Sequence, residues 1–254
     1  MLHEFSRMEL LLGTDVVRSF ARKRIAIFGL GGVGSYVTEG LARCGIGSLD
    51  IIDNDTVALT NINRQLIALH STIGRKKTDV VKERILDINP QAAVYDYDIF
   101  LGPDTMDLFP WECYDYIIDA IDTVSSKLLL IQKASDCHIP IISCMGVGNK
   151  LHPELLSITD LYKTTMCPLA RVMRRECKAR QISHCKVLYS REEPLSPLPE
   201  AQAETKGTAG RPAPGSISFV PSVAGLMIAG EVIRELAGEF QEKEEVKNGT
   251  LSGN

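Results

Sequence analysis

A glycine-rich stretch near the N-terminus limits the fold more than any other feature of the chain. The segment IAIFGLGGVGSYV begins with apolar residues and carries four glycines within six positions: Gly29, Gly31, Gly32 and Gly34. A helical pattern follows at about 33–44. A strand, a glycine turn and a helix in this order are typical of a nucleotide-binding βαβ unit. The glycines let phosphates approach the backbone, and the N-terminus of the helix stabilises their charge.

An acidic residue follows the second predicted strand, 48–52. Asp53 stands nineteen residues after Gly34, where dinucleotide-binding folds place the residue that binds the ribose hydroxyls. The pattern alone is weak evidence for NAD, because the same turn can hold any adenosine phosphate. A glycine turn without a ligand is the other interpretation, and the combination of strand, turn, helix and acid argues against it.

Strands and helices alternate along the first 150 residues. The pattern predicts strands at 24–28, 48–52, 92–97, 114–120 and 139–146, and helices at 33–44, 75–88 and 124–137. This alternation predicts an α/β fold with a Rossmann-like, mostly parallel sheet and helices on both faces. A C-terminal α/β extension follows, with strands near 154–158 and 185–189 and helices near 166–180 and 221–237.

We expect a single domain, 1–238. It comprises an N-terminal arm (1–22) with a short helix at 14–22, a nucleotide-binding part (23–150) and a substrate-side part (151–238). The segment 192–215 is rich in proline, glycine, alanine and glutamate, which predicts a mobile loop. The polar segment 239–254 is predicted to be a flexible tail.

Composition and cysteine spacing exclude several classes. A net charge of −4 over 254 residues gives no global signal for nucleic acid, so any polyanion site must be a local patch. The seven cysteines include no CxxC pair, which argues against a disulfide framework and against a zinc site. We expect reduced thiols, a cytoplasmic protein without a signal peptide, and no membrane span, since the apolar stretch 217–230 is too short.

Three polar positions favour ATP over NAD. Arg64 follows Asn63 in TNINRQ, Lys77 begins a predicted helix, and Asp122 is expected at the end of the fourth strand. Cleavage of a triphosphate requires cations that balance phosphate charge and an acid that holds Mg²⁺, whereas NAD requires neither. Two simpler interpretations stay open: Arg64 and Lys77 as surface charges, and Asp122 as a helix N-cap.

Several of these segments together resemble a known protein family. The glycine turn, Asp53, TNINRQ, Lys77 and Asp122 resemble the ThiF/MoeB/HesA adenylating family, the bacterial relatives of ubiquitin-activating enzymes. Further segments are similar to its tRNA threonylcarbamoyladenosine dehydratase branch: FSRMELLLG, ERILDINP, DAIDTVSSK, GVGNKLHP, DLYKTTMCPLARVMRREC and PGSISFVPSVAGLMIAGEVI. The resemblance covers nearly the whole chain apart from 192–213 and the tail.

The resemblance implies an adenylating fold that binds ATP and Mg²⁺. The residues implied for ATP are Gly29, Gly31, Gly32, Gly34, Asp53, Asp55, Asn63, Arg64 and Lys77, and Asp122 is implied for Mg²⁺. The implied catalytic set is Arg7, Arg64, Lys77 and Asp122, with Arg7 reaching across a homodimer. The implied activity is ATP-dependent cyclisation of threonylcarbamoyladenosine in tRNA through adenylation of its carboxylate. A cysteine-desulfurase or sulfur-acceptor system is a possible further partner in that family.

A basic stripe gives a separate indication of tRNA. Arg171, Arg174, Arg175 and Lys178 recur at helical spacing on one face, as expected of a surface that follows phosphates. A solvated helix face looks the same in sequence, and the family resemblance favours tRNA.

Other functions stay open. An activator of a ubiquitin-like sulfur carrier is the main alternative, although such enzymes usually carry two CxxC pairs for zinc and this chain has none. Cys167 could then form a thioester, and an ordinary buried thiol is its simpler interpretation. A non-catalytic nucleotide sensor and a nicotinamide dehydrogenase come last.

Overall fold

The computed structural model describes residues 2–196 and 214–251, with side chains described as far as residue 238. Most of the predicted loop, 197–213, and the last residues of the predicted tail, 252–254, lie outside the described residues. The described part contains seven strands: β1 Arg24–Phe28, β2 Ser48–Ile52, β3 Ala93–Tyr97, β4 Tyr116–Asp119, β5 Ile141–Cys144, β6 Leu156–Asp160 and β7 Lys186–Ser190. Its α-helices are α1 Ser6–Leu12, α2 Thr14–Phe20, α3 Gly34–Arg43, α4 Lys77–Ile88, α5 Val124–Asp136, α6 Pro168–Ala179 and α7 Phe219–Leu251.

The strands form one sheet in the order β3-β2-β1-β4-β5-β7-β6. All neighbouring pairs are parallel except β6 and β7, which pair antiparallel at one edge. The sheet confirms the predicted Rossmann-like architecture. β1 lies between β2 and β4. The chain adds β2 and β3 on one side of β1 and then β4 and β5 on the other, so the strand order reverses between β1 and β4.

Alternate side chains of β1 pack against the helices on the two faces of the sheet. Ile25 and Ile27 face a core that contains residues of α2, α3, α4 and α7. Ala26 and Phe28 belong to the core on the other side, which includes Leu130 and Ala134 of α5. A central strand that is apolar on both faces is expected of a parallel sheet covered by helices on both sides.

Two glycines are sterically required at the turn after β1. Gly29 has φ +92°, and a Cβ there would lie 2.7 Å from the carbonyl oxygen of Ala120. A Cβ on Gly34 would lie 1.8 Å from the carbonyl oxygen of Gly29. The close approach of α3 to this turn therefore depends on both residues.

Some predicted boundaries were wrong. The arm contains a second helix, α1, that the sequence pattern did not reveal. The helix predicted to end at 237 continues to Leu251, because the polar segment EFQEKEEVK consists largely of strong helix formers. The flexibility of 239–254 stays a prediction. Among the described residues, no helix combines the length and the apolarity that a bilayer crossing requires.

Candidate functional site

A cleft of about 720 Å³ opens at the C-terminal ends of the central strands. Phe28, Ile52, Ala120 and Cys144 line it, and they end or directly follow β1, β2, β4 and β5. In open α/β sheets the ligand crevice lies at this edge, where the strand order reverses.

The glycine turn forms one side of the cleft. Gly29, Gly31 and Gly32 line it directly. Gly34 does not: it is buried at the first position of α3, against the backbone of Gly29. The turn therefore presents its backbone to the cleft, and Gly34 allows the helix to begin close behind it.

Asp53 lies against the turn and is almost buried. Its Oδ2 accepts a hydrogen bond of 2.7 Å from the backbone N of Leu30, and its Oδ1 accepts one of 2.8 Å from the backbone N of Asp55. Burial raises the pKa of the Asp53 carboxyl, and the positive charge of Lys77 and both backbone hydrogen bonds oppose that rise. Each oxygen keeps one lone pair for a further donor.

Lys77 brings a buried cation to the cleft. It is the first residue of α4, and its side chain is only 5% exposed. Its Nζ lies 2.6 Å from Asp55 Oδ2 and 3.6 Å from Asp53 Oδ1. The long connection from β2 to α4 returns to the end of β2, where the backbone N of Lys77 donates to the carbonyl oxygen of Asp55 at 3.1 Å. It thus holds a cation between two carboxylates, and all three residues line the cleft.

Arg64 is a second cation in the cleft wall. Its guanidinium Nη1 donates to the Thr60 carbonyl oxygen at 2.9 Å and to Asn63 Oδ1 at 3.0 Å. Burial lowers the pKa of this guanidinium from its ordinary value. Asn63 itself is exposed and is not among the lining residues, and its Nδ2 donates to the carbonyl oxygen of Ser216 at 3.0 Å.

Asp122 lines the cleft between β4 and α5. The expectation that it ends the fourth strand was wrong, because β4 ends at Asp119 and the chain turns before α5. Asp122 still lines the cleft, exposed, on that turn. The N-cap position of α5 is Thr123, whose hydroxyl donates to Asp122 Oδ1 at 3.2 Å, so Asp122 is not the helix N-cap.

The remaining predicted site residues lie outside the cleft lining. Arg7 is exposed on α1. Arg171, Arg175 and Lys178 are exposed on α6, whereas the half-buried Arg174 donates through Nη1 to the carbonyl oxygen of Thr164 at 2.9 Å. Arg175 also forms an ion pair with Glu176. The basic stripe is therefore less uniform than its spacing indicated.

Cys167 is a buried residue at the start of α6. Its Sγ accepts a hydrogen bond of 3.5 Å from the backbone N of Ala170 and so caps the helix. This placement favours the simpler interpretation of Cys167, a structural thiol.

Sequence reasoning missed two groups of residues at the cleft. Gln65 lines it beside Arg64, and its buried Oε1 has no hydrogen-bond partner among the described residues. Its place after Arg64 in TNINRQ was the available signal. Asp119 and Lys127 form a buried ion pair behind the lining residues Ala120 and Cys144, and nothing in the periodicity of the sequence pairs them.

The cleft combines a glycine turn that presents its backbone, two cations, and the exposed carboxylates of Asp55 and Asp122. Across the part of the chain that the structure describes, no three His, Cys, Asp or Glu side chains gather into a metal site. A divalent cation at Asp122 would take its other ligands from phosphate oxygens and water, as Mg²⁺ commonly does. The fold and the cleft define a Rossmann-like nucleotide-binding protein.

The comparisons with known proteins agree with this class. A model of the ThiF family matches residues 5–253, and the chain belongs to that family. It is 39% identical over 249 residues to the tRNA threonylcarbamoyladenosine dehydratase of Bacillus subtilis, covering 96% of this chain and 98% of that protein. It is 41% identical over 169 residues to the enzyme of the same name from Escherichia coli, covering 66% of this chain and 63% of that protein.

A solved structure extends the likeness to three dimensions. The E. coli tRNA N6-threonylcarbamoyladenosine dehydratase, TcdA, in complex with ATP superposes with a TM-score of 0.85 at 31% identity. The match covers 94% of this chain and 96% of that chain. A structure of the same E. coli protein with AMP matches with a TM-score of 0.84. These matches confirm the resemblance to the dehydratase branch.

Proposed function

We propose that the protein is an ATP-dependent enzyme that converts N6-threonylcarbamoyladenosine in tRNA to its cyclic form by adenylating the threonyl carboxylate. One observation carries the proposal: Arg64, Lys77 and Asp122 line the same cleft as the glycine turn. Family membership and near full-length identity to the B. subtilis dehydratase support it.

The glycine turn and Asp53 are proposed to hold the nucleotide. The backbone at Gly29, Gly31 and Gly32 and the N-terminus of α3 bind the phosphates, while Gly34 allows that close approach. Asp53 binds the ribose hydroxyls through the lone pairs that its two backbone hydrogen bonds leave free. Asn63 supports this wall by its hydrogen bond to the 214–216 segment.

Arg64 and Lys77 are proposed to stabilise the charge that develops on the phosphates. Both are held by oxygen partners, Lys77 by Asp55 and Arg64 by Thr60 and Asn63, so little reorganisation is needed when charge develops. The Oε1 of Gln65, which has no hydrogen-bond partner within the described part of the chain, fits a polar ligand that donates a hydrogen bond to it, because a buried acceptor without a partner is costly.

Asp122 is the proposed Mg²⁺ ligand. It is an exposed carboxylate in the lining of the cleft, and an oxygen donor of this kind suits Mg²⁺. Mg²⁺ would neutralise phosphate charge when bound. This chain contributes the Asp122 carboxylate, which accepts a hydrogen bond from the hydroxyl of Thr123.

The proposed reaction has two steps. The threonyl carboxylate attacks the α-phosphorus of ATP, which forms a P–O bond and expels pyrophosphate. The neighbouring carbamoyl group then attacks the activated carbonyl carbon, loses a proton, and expels AMP. One carboxylate oxygen leaves in AMP, so the nucleoside loses one water in total.

The basic stripe on α6 is proposed to bind tRNA phosphates. Leu169, near the start of α6, lines the cleft. Further along the same helix, Arg171 and Lys178 are exposed cations. Contacts of this kind position an RNA backbone without reading bases. We expect Arg171 and Lys178 to contribute more than Arg174 and Arg175, whose side chains already bind Thr164 and Glu176.

A homodimer is the proposed assembly. Arg7 is exposed and lies outside the cleft lining of its own chain, so the partner subunit's Arg7 is the proposed phosphate ligand of each site. The association with a cysteine-desulfurase or sulfur-acceptor system and the cytoplasmic location stay predictions.

The adenylation step can be tested alone. Exchange of labelled pyrophosphate into ATP should require tRNA that carries threonylcarbamoyladenosine, and an unmodified transcript of the same tRNA should not support it. Calorimetry should detect binding of Mg²⁺–ATP and none of NAD. Exchange that required a protein with a C-terminal diglycine instead would establish the sulfur-carrier alternative and overturn the proposal.

A further inference from the structure

A buried ion pair joins two segments that line the cleft. Asp119 is the last residue of β4, and Lys127 lies near the start of α5. Their side chains are 0% and 1% exposed, and Lys127 Nζ lies 3.0 Å from Asp119 Oδ2. They are the first and last residues of the segment DAIDTVSSK, and neither is among the lining residues of the cleft.

The pair has further hydrogen bonds on both sides. Lys127 Nζ donates to the carbonyl oxygen of Cys144 at 2.7 Å, and the hydroxyl of Ser143 donates to Asp119 Oδ2. Ser143 is the residue opposite Asp119 in the β4–β5 pairing. Asp119 Oδ1 accepts a hydrogen bond of 3.1 Å from the backbone N of Ile121. One ammonium group therefore connects the ends of two adjacent strands.

Stability alone gives a weak account of this arrangement. Removing two charges from water is costly, and a well-packed apolar pair of similar volume is often as stable or more stable. What an apolar pair would not supply is the directional link from the Asp119 carboxylate to the Cys144 carbonyl. The backbone segments that this link holds in place therefore indicate the function of the pair.

The linked atoms lie directly before residues of the cleft. The peptide N of Ile121 precedes Asp122, and the carbonyl of Cys144 precedes Met145 and Gly146. Ile121, Asp122, Met145 and Gly146 all line the cleft. We infer that Lys127 is a positioning residue, which acts through Asp119 and the Cys144 carbonyl to fix Asp122 relative to the Met145–Gly146 wall.

This inference rests on the proposed function, in which Asp122 holds Mg²⁺. Groups that orient a metal ligand without touching the metal commonly change metal affinity or activity by about 10-fold to 100-fold when they are removed. Lys127 acts on Asp122 in this indirect way, because it holds the Asp119 carboxylate, which in turn accepts the hydrogen bond from the backbone N of Ile121. Its loss should weaken Mg²⁺ binding more than it weakens binding of the nucleotide itself.

The test compares two variants with a control. Lys127→Met leaves the Asp119 carboxylate buried without its partner and should lower the unfolding temperature. Asp119→Asn/Lys127→Met removes both charges and should recover most of that stability. Lys133→Met is the control, because Lys133 lies on the same helix over the ring of Trp111 and outside the cleft lining. Each protein is titrated with ATP in EDTA and with Mg²⁺ at saturating ATP.

The double variant gives the decisive result. We expect it to bind ATP in EDTA like the wild type and to bind Mg²⁺ about 10-fold more weakly or worse, with a parallel loss of turnover at saturating ATP. The control should match the wild type in both titrations. A stable double variant with wild-type Mg²⁺ affinity would show that the pair is only structural and overturn the inference. If the wild-type protein bound no ATP in the presence of Mg²⁺, both the proposed function and this inference would be overturned.

Discussion

Lys77 Nζ lies 2.6 Å from Asp55 Oδ2, and the lysine side chain is 5% exposed while that of the aspartate is 62% exposed. The cation thus reaches the cleft from a buried position, fixed by a carboxylate at the surface. A charge held in this way is prepared for a phosphate before the phosphate arrives. The preceding residue in the chain contrasts with it, because Lys76 is exposed, pairs with Asp98, and lies outside the cleft lining.

The two adjacent lysines make a matched pair of variants. Lys77→Met should reduce turnover at saturating ATP by about 100-fold or more, since a preorganised charge near the reacting phosphate is lost. Lys76→Met should retain activity, because exposed ion pairs contribute little. Steady-state kinetics, with circular dichroism as the check on folding, measure both. Equal activities of the two variants would contradict the role of Lys77.

Shared sites predict complementation between inactive subunits. Arg7→Ala and Lys77→Ala proteins should each be inactive, and mixing them should restore part of the activity, because some heterodimers contain one site with both residues intact. Subunit exchange is verified with distinguishable tags, and mass is measured by light scattering. A monomer, or no recovery after verified exchange, would show that Arg7 does not act across a dimer.

Cys167→Ser should retain most of the activity. The serine hydroxyl can take over the N-cap that Cys167 Sγ provides to the backbone N of Ala170, and serine is a favoured N-cap residue. Cys177→Ser is the contrasting variant: it places a hydroxyl in a fully buried apolar cluster and should lower the unfolding temperature. A folded but inactive Cys167→Ser enzyme would indicate a thioester step and support the sulfur-carrier alternative.

The residues of the basic stripe should separate into two groups. Arg171→Ala/Lys178→Ala should weaken tRNA binding and lower the slope of log affinity against log salt by about two units, with ATP binding unchanged. Arg174→Ala should mainly lower stability, because it removes the donor to the Thr164 carbonyl. Filter binding at several salt concentrations measures the first effect and thermal unfolding the second. Unchanged tRNA affinity of the double variant would show that the stripe is only a solvated face.

The strands and helices that could be predicted are those whose own residues carry a clear pattern of apolar positions and boundaries. β1 and β2 lie within 24–28 and 48–52 as predicted, because apolar runs there are bounded by a charge and a turn. α1 was missed because it is only seven residues long and none of them is buried, and Met8 and Leu12 pack against the core only in part.

The site shows the same division between local and tertiary information. Asp53 and Lys77 stand next to predicted element ends, Arg64 belongs to the motif TNINRQ, and the structure brings the three to one cleft. The hydrogen bond from Arg174 to Thr164 joins residues ten positions apart, and the Lys127–Cys144 bond joins a helix to a strand. No propensity or periodicity encodes such contacts, since they arise only when the elements pack.

The proposed reaction couples ATP cleavage to dehydration of the tRNA nucleoside. The decisive measurement incubates the protein with ATP, Mg²⁺ and tRNA that carries threonylcarbamoyladenosine, followed by quantification of AMP and mass spectrometry of the nucleoside. We expect one AMP for each nucleoside that loses the mass of one water, and a loss of rate of about 100-fold in the Asp122→Asn enzyme. An unchanged nucleoside mass, or dehydration that proceeds without ATP, would overturn the proposed function.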